Sequence, residues 1–191
     1  MIIFVIIATI VAATSNLIYF KIKQDKLRFP VISAVIFSVI SSILLYNNFD
    51  LLNSIKIFSV LSLLHICSTN DIIRHQSDDI FPIAIIIIGL IKPTSIIYML
   101  ISLAIAVVMF LIIIITSKST IGGGDIKMIC ALSFFFGITM TAAATVIACI
   151  TGITYAIITK YAAKLPDFSK HFAFLPFVEV GYFIALLMQI F

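Results

Sequence analysis

Two aspartates in an otherwise apolar chain are the residues best suited to chemistry. Asp71 and Asp125 each lie at the end of a long apolar run, 54 residues apart. A carboxylate at a membrane boundary costs free energy, so its default interpretation is functional. Two such acids, once the fold brings them together, make an acid–base pair that can activate a water molecule.

Three consecutive glycines precede Asp125, and Lys127 follows it two residues later. The glycines, Gly122, Gly123 and Gly124, lack Cβ atoms and therefore permit tight turns and the close approach of another backbone, such as a substrate strand. A second interpretation is a flexible turn in which Asp125 is the N-cap of the next helix. A phosphate-binding loop is disfavoured because the G-x-x-x-x-G-K-[ST] pattern is missing.

The composition excludes an ordinary soluble domain. Of the 191 residues, 63% are hydrophobic and only 10% are charged, whereas a soluble domain is roughly half apolar and a quarter charged. The apolar runs are continuous rather than alternating, which favours helices over a barrel. We therefore predict an all-α, polytopic membrane helical bundle that forms a single membrane-embedded domain over residues 1–191, with no separate soluble domain.

The apolar runs predict about eight membrane segments, since about 20 apolar residues span a bilayer. Two of them, 80–91 and 126–136, are too short to span comfortably alone, so six to eight is the expected range. A short helix packed inside a bundle can leave its end open to water, as a membrane active site needs. The segments are 2–20, 29–46, 51–69, 80–91, 94–116, 126–136, 138–159 and 172–191. The first is read as a retained helix rather than a signal peptide, because its positive charges follow the apolar run.

The basic residues predict the orientation of these segments. With the N-terminus outside, the inside loops are 21–28, 70–79, 117–125 and 160–171, and only Lys56 and Lys92 of the twelve basic residues fall outside. This distribution obeys the positive-inside rule and places Asp71 and Asp125 on the cytoplasmic side, provided that both short segments cross. The basic residues in or beside the inside loops are Lys21, Lys23, Lys26, Arg28, Arg74, Lys118, Lys127, Lys160, Lys164 and Lys170.

The chain offers no pattern for a metal site or a disulfide. Cys67, Cys130 and Cys149 lie in or beside apolar runs without C-x-x-C spacing, which predicts buried, inert thiols. His65 and His171 have no spaced partner for a metal ion. Neither a metal nor another cofactor is therefore expected.

The stretch GGGDIK at 122–127 resembles the G-x-G-D-x-K motif of type IV prepilin peptidases, bacterial members of the GxGD group of aspartyl proteases. The resemblance implies that Asp125 is one of two catalytic acids. In the family, the other acid begins an upstream pattern like D-x-x-x-x-x-I-P-[ND]. Asp71 and Asp79 match its first and last positions, while Ser77 and Asp78 replace the usual Ile-Pro. Asp71 is thus the expected first acid, with Asp78 and Asp79 as alternatives.

A third element, FLPF at 174–177, resembles the late F-G-P-F element of the same family, with Leu175 in place of glycine and Pro176 retained. The resemblance covers roughly residues 55–191. It implies an aspartic endopeptidase of a prokaryotic plasma membrane that cleaves a basic leader from prepilin or pseudopilin precursors at the cytoplasmic face. The implied partners are these precursors and the lipid bilayer, with no nucleic acid. Whether the chain pairs with itself stays open.

The first inside loop, 21–28, lacks the cysteine-bearing insert that larger family members carry. The chain therefore resembles the short, peptidase-only branch found with tight-adherence or Flp-type pilus systems. The resemblance implies that it has no methyltransferase domain or activity.

Other function classes stay open at this point. A presenilin-like protease that cuts within the bilayer would place its acids deeper than the membrane edge. A proton- or cation-coupled transporter would use Asp71 and Asp125 as ion sites, although no inverted repeat accompanies them. In an assembly protein without catalysis, the acids would only cap helices.

Overall fold

The structure is a computed structural model that describes residues 2–22, 28–93, 95–116, 122–162 and 172–190. These residues form eight α-helices and no strand, which confirms the predicted all-α membrane helical bundle. In chain order the helices are α1 Ile2–Ile22, α2 Arg28–Asn48, α3 Leu51–Arg74, α4 Ile80–Leu90, α5 Ile96–Thr116, α6 Gly123–Phe136, α7 Ile138–Ala162 and α8 Leu175–Ile190.

Helix boundaries follow local breakers. α4 ends at Leu90, shortly before Lys92, which has a φ of 51°, and Pro93. Proline has no N–H to continue a helix and restricts the residue before it. α6 and α7 are separated by Gly137 alone. Each of the eight predicted segments corresponds to one of the eight observed helices.

One boundary differs in a way that matters for the site. α3 continues to Arg74, so Asp71 lies in the last turn of the helix rather than in a loop over 70–79. His75, with a φ of 52°, ends this helix, and its N–H donates to the Asp71 carbonyl oxygen at 2.9 Å. A left-handed residue is a common helix terminator, and its conformation is invisible to hydrophobicity. The connecting loop is thus only 75–79.

The apolar surface agrees with a bilayer environment. Among the residues that the structure describes, three helical stretches are long and apolar enough to cross a membrane: Leu51–Arg74, Ile96–Thr116 and Ile138–Thr159. In α5, Ile97 is 68% exposed and Ile115 is 81% exposed. A contiguous apolar face of this kind marks contact with lipid or protein rather than water.

The two predicted short segments are short helices. α4 has 11 residues and α6 has 14, which correspond to about 17 Å and 21 Å at 1.5 Å per residue. A hydrocarbon core is about 30 Å thick. Each helix alone is therefore shorter than a bilayer core, as expected from the sequence.

The orientation stays a prediction, because the structure contains no membrane. Of the basic residues that carried it, Lys23, Lys26, Lys118, Lys164 and Lys170 lie outside the described residues.

The chain separates into two compact units, Met1–Thr69 and Asn70–Phe191. In the first unit, α1 packs against α2. At the α2–α3 turn, the Ser54 hydroxyl donates to the carbonyl oxygens of Leu45 and Phe49. His65 is within hydrogen-bond distance of the Ser33 hydroxyl and stacks on Phe37. These polar side chains therefore connect neighbouring segments of the first unit. The prediction of a single domain stays a prediction.

In the second unit, α6 packs against α4, α5 and α7, while α8 packs against α7. Six residues of α6 from Met128 to Ser133 are all buried. The Ser133 hydroxyl donates to the Ser102 carbonyl oxygen of α5 at 3.0 Å. On α8, Gly181 lies directly against the backbone of Ala144 in α7. The helix that begins at the glycine motif is thus held on three sides.

The cysteine prediction was right for two residues and wrong for one. Cys67 and Cys130 are buried, whereas Cys149 is exposed on α7. A thiol is apolar enough to face lipid as readily as a protein core, so an apolar surrounding sequence does not distinguish the two.

Candidate active site

Asp71 is positioned by the end of α3 and by the start of α8. Only 8% of the residue is exposed, and its Oδ2 accepts a hydrogen bond from the backbone N–H of Leu175 at 3.2 Å. The turn after the helix is shaped by Asn70, whose Nδ2 donates to the Gln76 carbonyl oxygen at 2.7 Å. The carboxylate is therefore held by backbone geometry from two distant parts of the second unit.

Asp125 lies in the first turn of α6. The N-cap of this helix is Gly122, and the Asp125 N–H donates to the Gly122 carbonyl oxygen at 3.1 Å. The interpretation of Asp125 as the N-cap itself was therefore wrong. The helix begins at Gly123, before the apolar run, so Asp125 is its third residue. The carboxylate of Asp125 therefore does not cap the helix and can make other contacts.

The two carboxyl groups interact. The pKa of Asp125 is raised from its ordinary value of 3.8 to about 6, mainly by burial and to a smaller extent by the negative charge of Asp71. A like charge shifts a pKa only over a short range, so this effect places the two acids in one electrostatic site. The structure therefore brings together the two acids that the sequence singled out.

The three glycines of the motif lie in different surroundings. A Cβ atom added to Gly122 would lie 3.0 Å from the Asp125 Oδ2, so this glycine leaves room for the carboxylate. A Cβ atom on Gly123 would meet nothing within 4 Å, and one on Gly124 would lie 2.8 Å from the Ser77 Cβ. Only Gly123 borders open space of the kind that an approaching substrate strand requires.

Asp79 and Lys127 form an ion pair with each other. The Lys127 Nζ donates to the two carboxylate oxygens of Asp79 at 2.7 and 2.9 Å. Asp79 is also the N-cap of α4, but its side chain makes no capping hydrogen bond. The structure thus joins Asp79 to the lysine of the glycine motif.

The 174–177 element reaches the acids through its backbone. Leu175, which is fully buried, begins α8 and supplies the N–H that binds Asp71. Pro176 lies in the first turn of α8, where a missing N–H leaves no intrahelical partner unsatisfied. The replacement of glycine by Leu175 does not affect the hydrogen bond, because the donor belongs to the main chain.

Sequence reasoning missed two features of the site. The Leu175 N–H carries no side-chain signal, although the neighbouring Pro176 marks a helix start and hence a set of unpaired N–H groups. Ser77 was read only as a departure from a pattern, yet it contacts Gly124 directly. Within the described part of the chain, no group of three or more His, Cys, Asp or Glu side chains is arranged to hold a metal ion.

Comparison with known families gives one decisive match. The model of the type IV leader peptidase family matches residues 57–157, which is more than half of the chain. The chain belongs to the type IV leader peptidase family. Searches of curated proteins and of solved structures gave no match.

Membership of the type IV leader peptidase family confirms the resemblance that the glycine–aspartate motif indicated, and it identifies the chain as a leader-peptidase-like protease. The matched residues include Asp71, the 75–79 loop and Asp125, but they end before the 174–177 element. The assignment of individual catalytic residues stays a prediction.

Proposed function

We propose that this chain is a membrane aspartyl endopeptidase that removes the basic leader from prepilin-like precursors at the cytoplasmic face, with Asp71 and Asp125 as its catalytic pair. The observation that carries the proposal is the electrostatic interaction of these two half-buried or buried carboxyl groups within one compact unit. The family supplies the protease class.

The chemistry follows from a pair that holds one proton. Two adjacent carboxyl groups do not both ionise readily, so one is protonated while the other is charged. The charged group takes a proton from a water molecule, whose oxygen attacks the scissile carbonyl carbon. The protonated group donates to the carbonyl oxygen, and a proton then passes to the departing amine as the C–N bond breaks. The pair titrates as a unit, so neither acid is assigned one role in the resting state.

The hydrogen bond from Leu175 supports this chemistry. It fixes Asp71 Oδ2 against the start of α8, so the carboxylate does not need to be ordered when substrate arrives. Preorganised groups of this kind lower the reorganisation needed in the transition state. The rigidity of the buried α6 has the same effect on Asp125.

The substrate class rests on charge and on membrane position. A precursor with a basic leader and an apolar helix would place its cleavage site at the cytoplasmic membrane edge, where the positive-inside rule puts both acids. Asp78 lies in the loop between Asp71 and α4 and would attract a basic leader, whereas the charge of Asp79 is compensated by Lys127. The chain lacks the insert associated with methyl transfer, so cleavage alone is proposed.

The test is a processing assay. The chain is co-expressed with a pilin precursor from the same genome, and loss of the leader is followed on a gel for the wild type and for Asp71→Asn, Asp125→Asn and Asp79→Asn. We expect Asp71→Asn and Asp125→Asn each to lower the cleavage rate by at least about 10²- to 10⁴-fold, the range for a lost general acid or base. Asp79→Asn should lower it only several-fold, because Asp79 is outside the acid pair.

Asp50→Asn is the matched control, since Asp50 lies in the α2–α3 turn of the first unit. It should cleave at the wild-type rate. Normal processing by both Asp71→Asn and Asp125→Asn would remove these acids from the chemistry. Loss with Asp79→Asn but not with Asp71→Asn would make Asp79 the first acid.

A further inference from the structure

The loop after Asp71 contacts the first turn of α6 twice, once on each side of Asp125. Ser77 contacts Gly124, one residue before the acid, and Asp79 binds Lys127, two residues after it. Both contacts lie within the second unit. The three loop residues 77–79 are called the brace below.

The Ser77 contact is steric. A Cβ atom on Gly124 would lie 2.8 Å from the Ser77 Cβ and 3.0 Å from its Oγ, closer than such atoms pack in proteins. Gly124 is helical and does not have a positive φ, so its backbone conformation suits alanine. The requirement for glycine at 124 therefore comes from Ser77 and not from the turn.

The hydroxyl of Ser77 does not explain the contact. Its Oγ is buried and has no hydrogen-bond partner among the described residues. A buried unpaired hydroxyl is unfavourable, so hydrogen bonding does not account for this placement of Ser77. Within the described residues, the contact of Ser77 with α6 is therefore the packing of its Cβ against Gly124.

The ion pair between Asp79 and Lys127 positions the loop more than it stabilises the fold. The Lys127 side chain is 56% exposed and that of Asp79 is 66% exposed, and solvent-exposed ion pairs contribute little to stability. The Lys127 Nζ nevertheless contacts both carboxylate oxygens of Asp79, so the pair limits the distance between the loop and α6.

We propose that the brace sets the position of Asp125 relative to Asp71, and that Ser77, Gly124, Asp79 and Lys127 are positioning residues for the acid pair. The proposal rests on the proposed function. The α3 helix carrying Asp71 ends directly before the loop, so a loop fixed on both sides of Asp125 fixes the separation of the acids. A misplacement of about 1 Å at a reacting group can lower a rate about 10²-fold.

The first experiment moves the Cβ atom from one side of the contact to the other. Gly124→Ala should lower kcat for precursor cleavage by about 10- to 100-fold with little change in KM. Ser77→Gly/Gly124→Ala should restore most of the rate, because the new Cβ fills the space that Ser77 leaves. Ser77→Ala/Gly124→Ala keeps both Cβ atoms and should stay as slow as Gly124→Ala.

The competing role for Gly124 is the close approach of a substrate strand, and it gives the opposite result. In that case Gly124→Ala would raise KM, and Ser77→Gly would not rescue it. That outcome overturns the steric half of the brace. Unfolding midpoints of all three variants in detergent separate a slow enzyme from a poorly folded one.

The second experiment is a double-mutant cycle on the ion pair. Asp79→Asn and Lys127→Gln should each lower kcat several-fold, and the double variant should be no slower than the slower single variant, because both remove one contact. Strictly additive losses would show that the two residues act separately and would overturn this half of the brace.

A third measurement does not depend on cleavage. In a Cys149→Ser background, which removes the exposed thiol, Asp79→Cys/Lys127→Cys in membranes should be joined by a short bis-maleimide, as detected by mass spectrometry. The control pair Lys92→Cys/Lys127→Cys, with Lys92 just beyond the opposite end of α4, should not be joined.

Joining of both pairs alike, or of neither, would overturn the proposed contact. If the wild type cleaves no precursor but only the 79–127 pair is joined, the proposed function fails while the brace geometry holds.

Discussion

The two ends of α6 both use glycine, and they use it for different purposes. At the start, Gly122 and Gly124 leave room for neighbouring side chains, the Asp125 carboxylate and Ser77. At the end, Gly137 has a φ of 87° and joins α6 directly to α7. A Cβ atom there would also lie 2.8 Å from the Tyr98 ring.

This difference separates function from stability along one helix. The start carries the half-buried Asp125 and the exposed Lys127, and its contacts with the 75–79 loop position an acid. The end lies among apolar and aromatic side chains, where Phe136 contacts Tyr182. Substitutions at the start should therefore mainly lower kcat, and substitutions at the end should mainly lower the free energy of unfolding.

The largest stability effect is expected for Gly137→Ala. A φ near 87° with extended ψ is strained for any residue with a Cβ atom, and the new atom overlaps Tyr98. We expect a loss of about 2–4 kcal/mol in the free energy of unfolding, measured in mixed detergent micelles. The matched control is Gly123→Ala, whose Cβ has open space and should leave the unfolding free energy within about 0.5 kcal/mol. Equal losses for the two variants would break the comparison between the ends of α6.

A smaller effect is expected for Ser133→Ala, four residues before Gly137. It removes a buried hydrogen bond to the Ser102 carbonyl oxygen, which corresponds to about 1 kcal/mol. Ser102→Ala is the control, because the acceptor is a main-chain carbonyl that this substitution retains, and only a bond within α5 is lost. A larger loss for Ser102→Ala than for Ser133→Ala would contradict the importance of the bond between α5 and α6.

The Asp125 carboxyl, at the start of α6, should make the free energy of unfolding depend on pH. The pKa of Asp125 is about 6 in the folded protein against an ordinary 3.8, so the folded state binds this proton more tightly than the unfolded state. The contribution of Asp125 to stability should therefore fall as pH rises from about 4 to about 6 and then level off. Unfolding midpoints in detergent over this range should fall more steeply for the wild type than for Asp125→Asn.

Asp71→Asn provides the finer comparison and the smallest expected effect. The Asp71 charge is the smaller cause of the raised Asp125 pKa, but burial also raises the pKa of Asp71 itself. Asp71→Asn should therefore give a shallower slope than the wild type while keeping the part of the slope that burial of Asp125 produces. Parallel curves for the wild type and Asp125→Asn would show that Asp125 titrates normally in the folded protein.

Much of the fold was predictable because membrane helices are specified locally. Continuous apolar runs predict helices, and breakers such as Gly137 and Pro93 mark their ends. The prediction was weaker where a helix ends in polar sequence. Asp71 lies inside α3 because the helix continues through polar residues to His75, and hydrophobicity contains no signal for that extension.

The two acids were predictable as candidates because charged residues beside apolar runs are conspicuous, and the family match agrees with the motif around Asp125. The partners of these acids were not predictable. The Leu175 N–H comes from 104 residues after Asp71, and a main-chain donor has no residue type by which to recognise it. No sequence pattern indicates that Asp79 binds Lys127, 48 residues later.

The sequence by itself determined the class of the protein and its helices and singled out the two acids as candidates, since these depend on composition, on runs of apolar residues and on a short motif. Only the tertiary structure decided how the acids are held. Ser77 meets Gly124, and Asp79 meets Lys127 across 48 residues, because α4 packs against α6. Contacts between distant segments depend on helix packing, which follows from the shapes of many side chains together rather than from any local pattern.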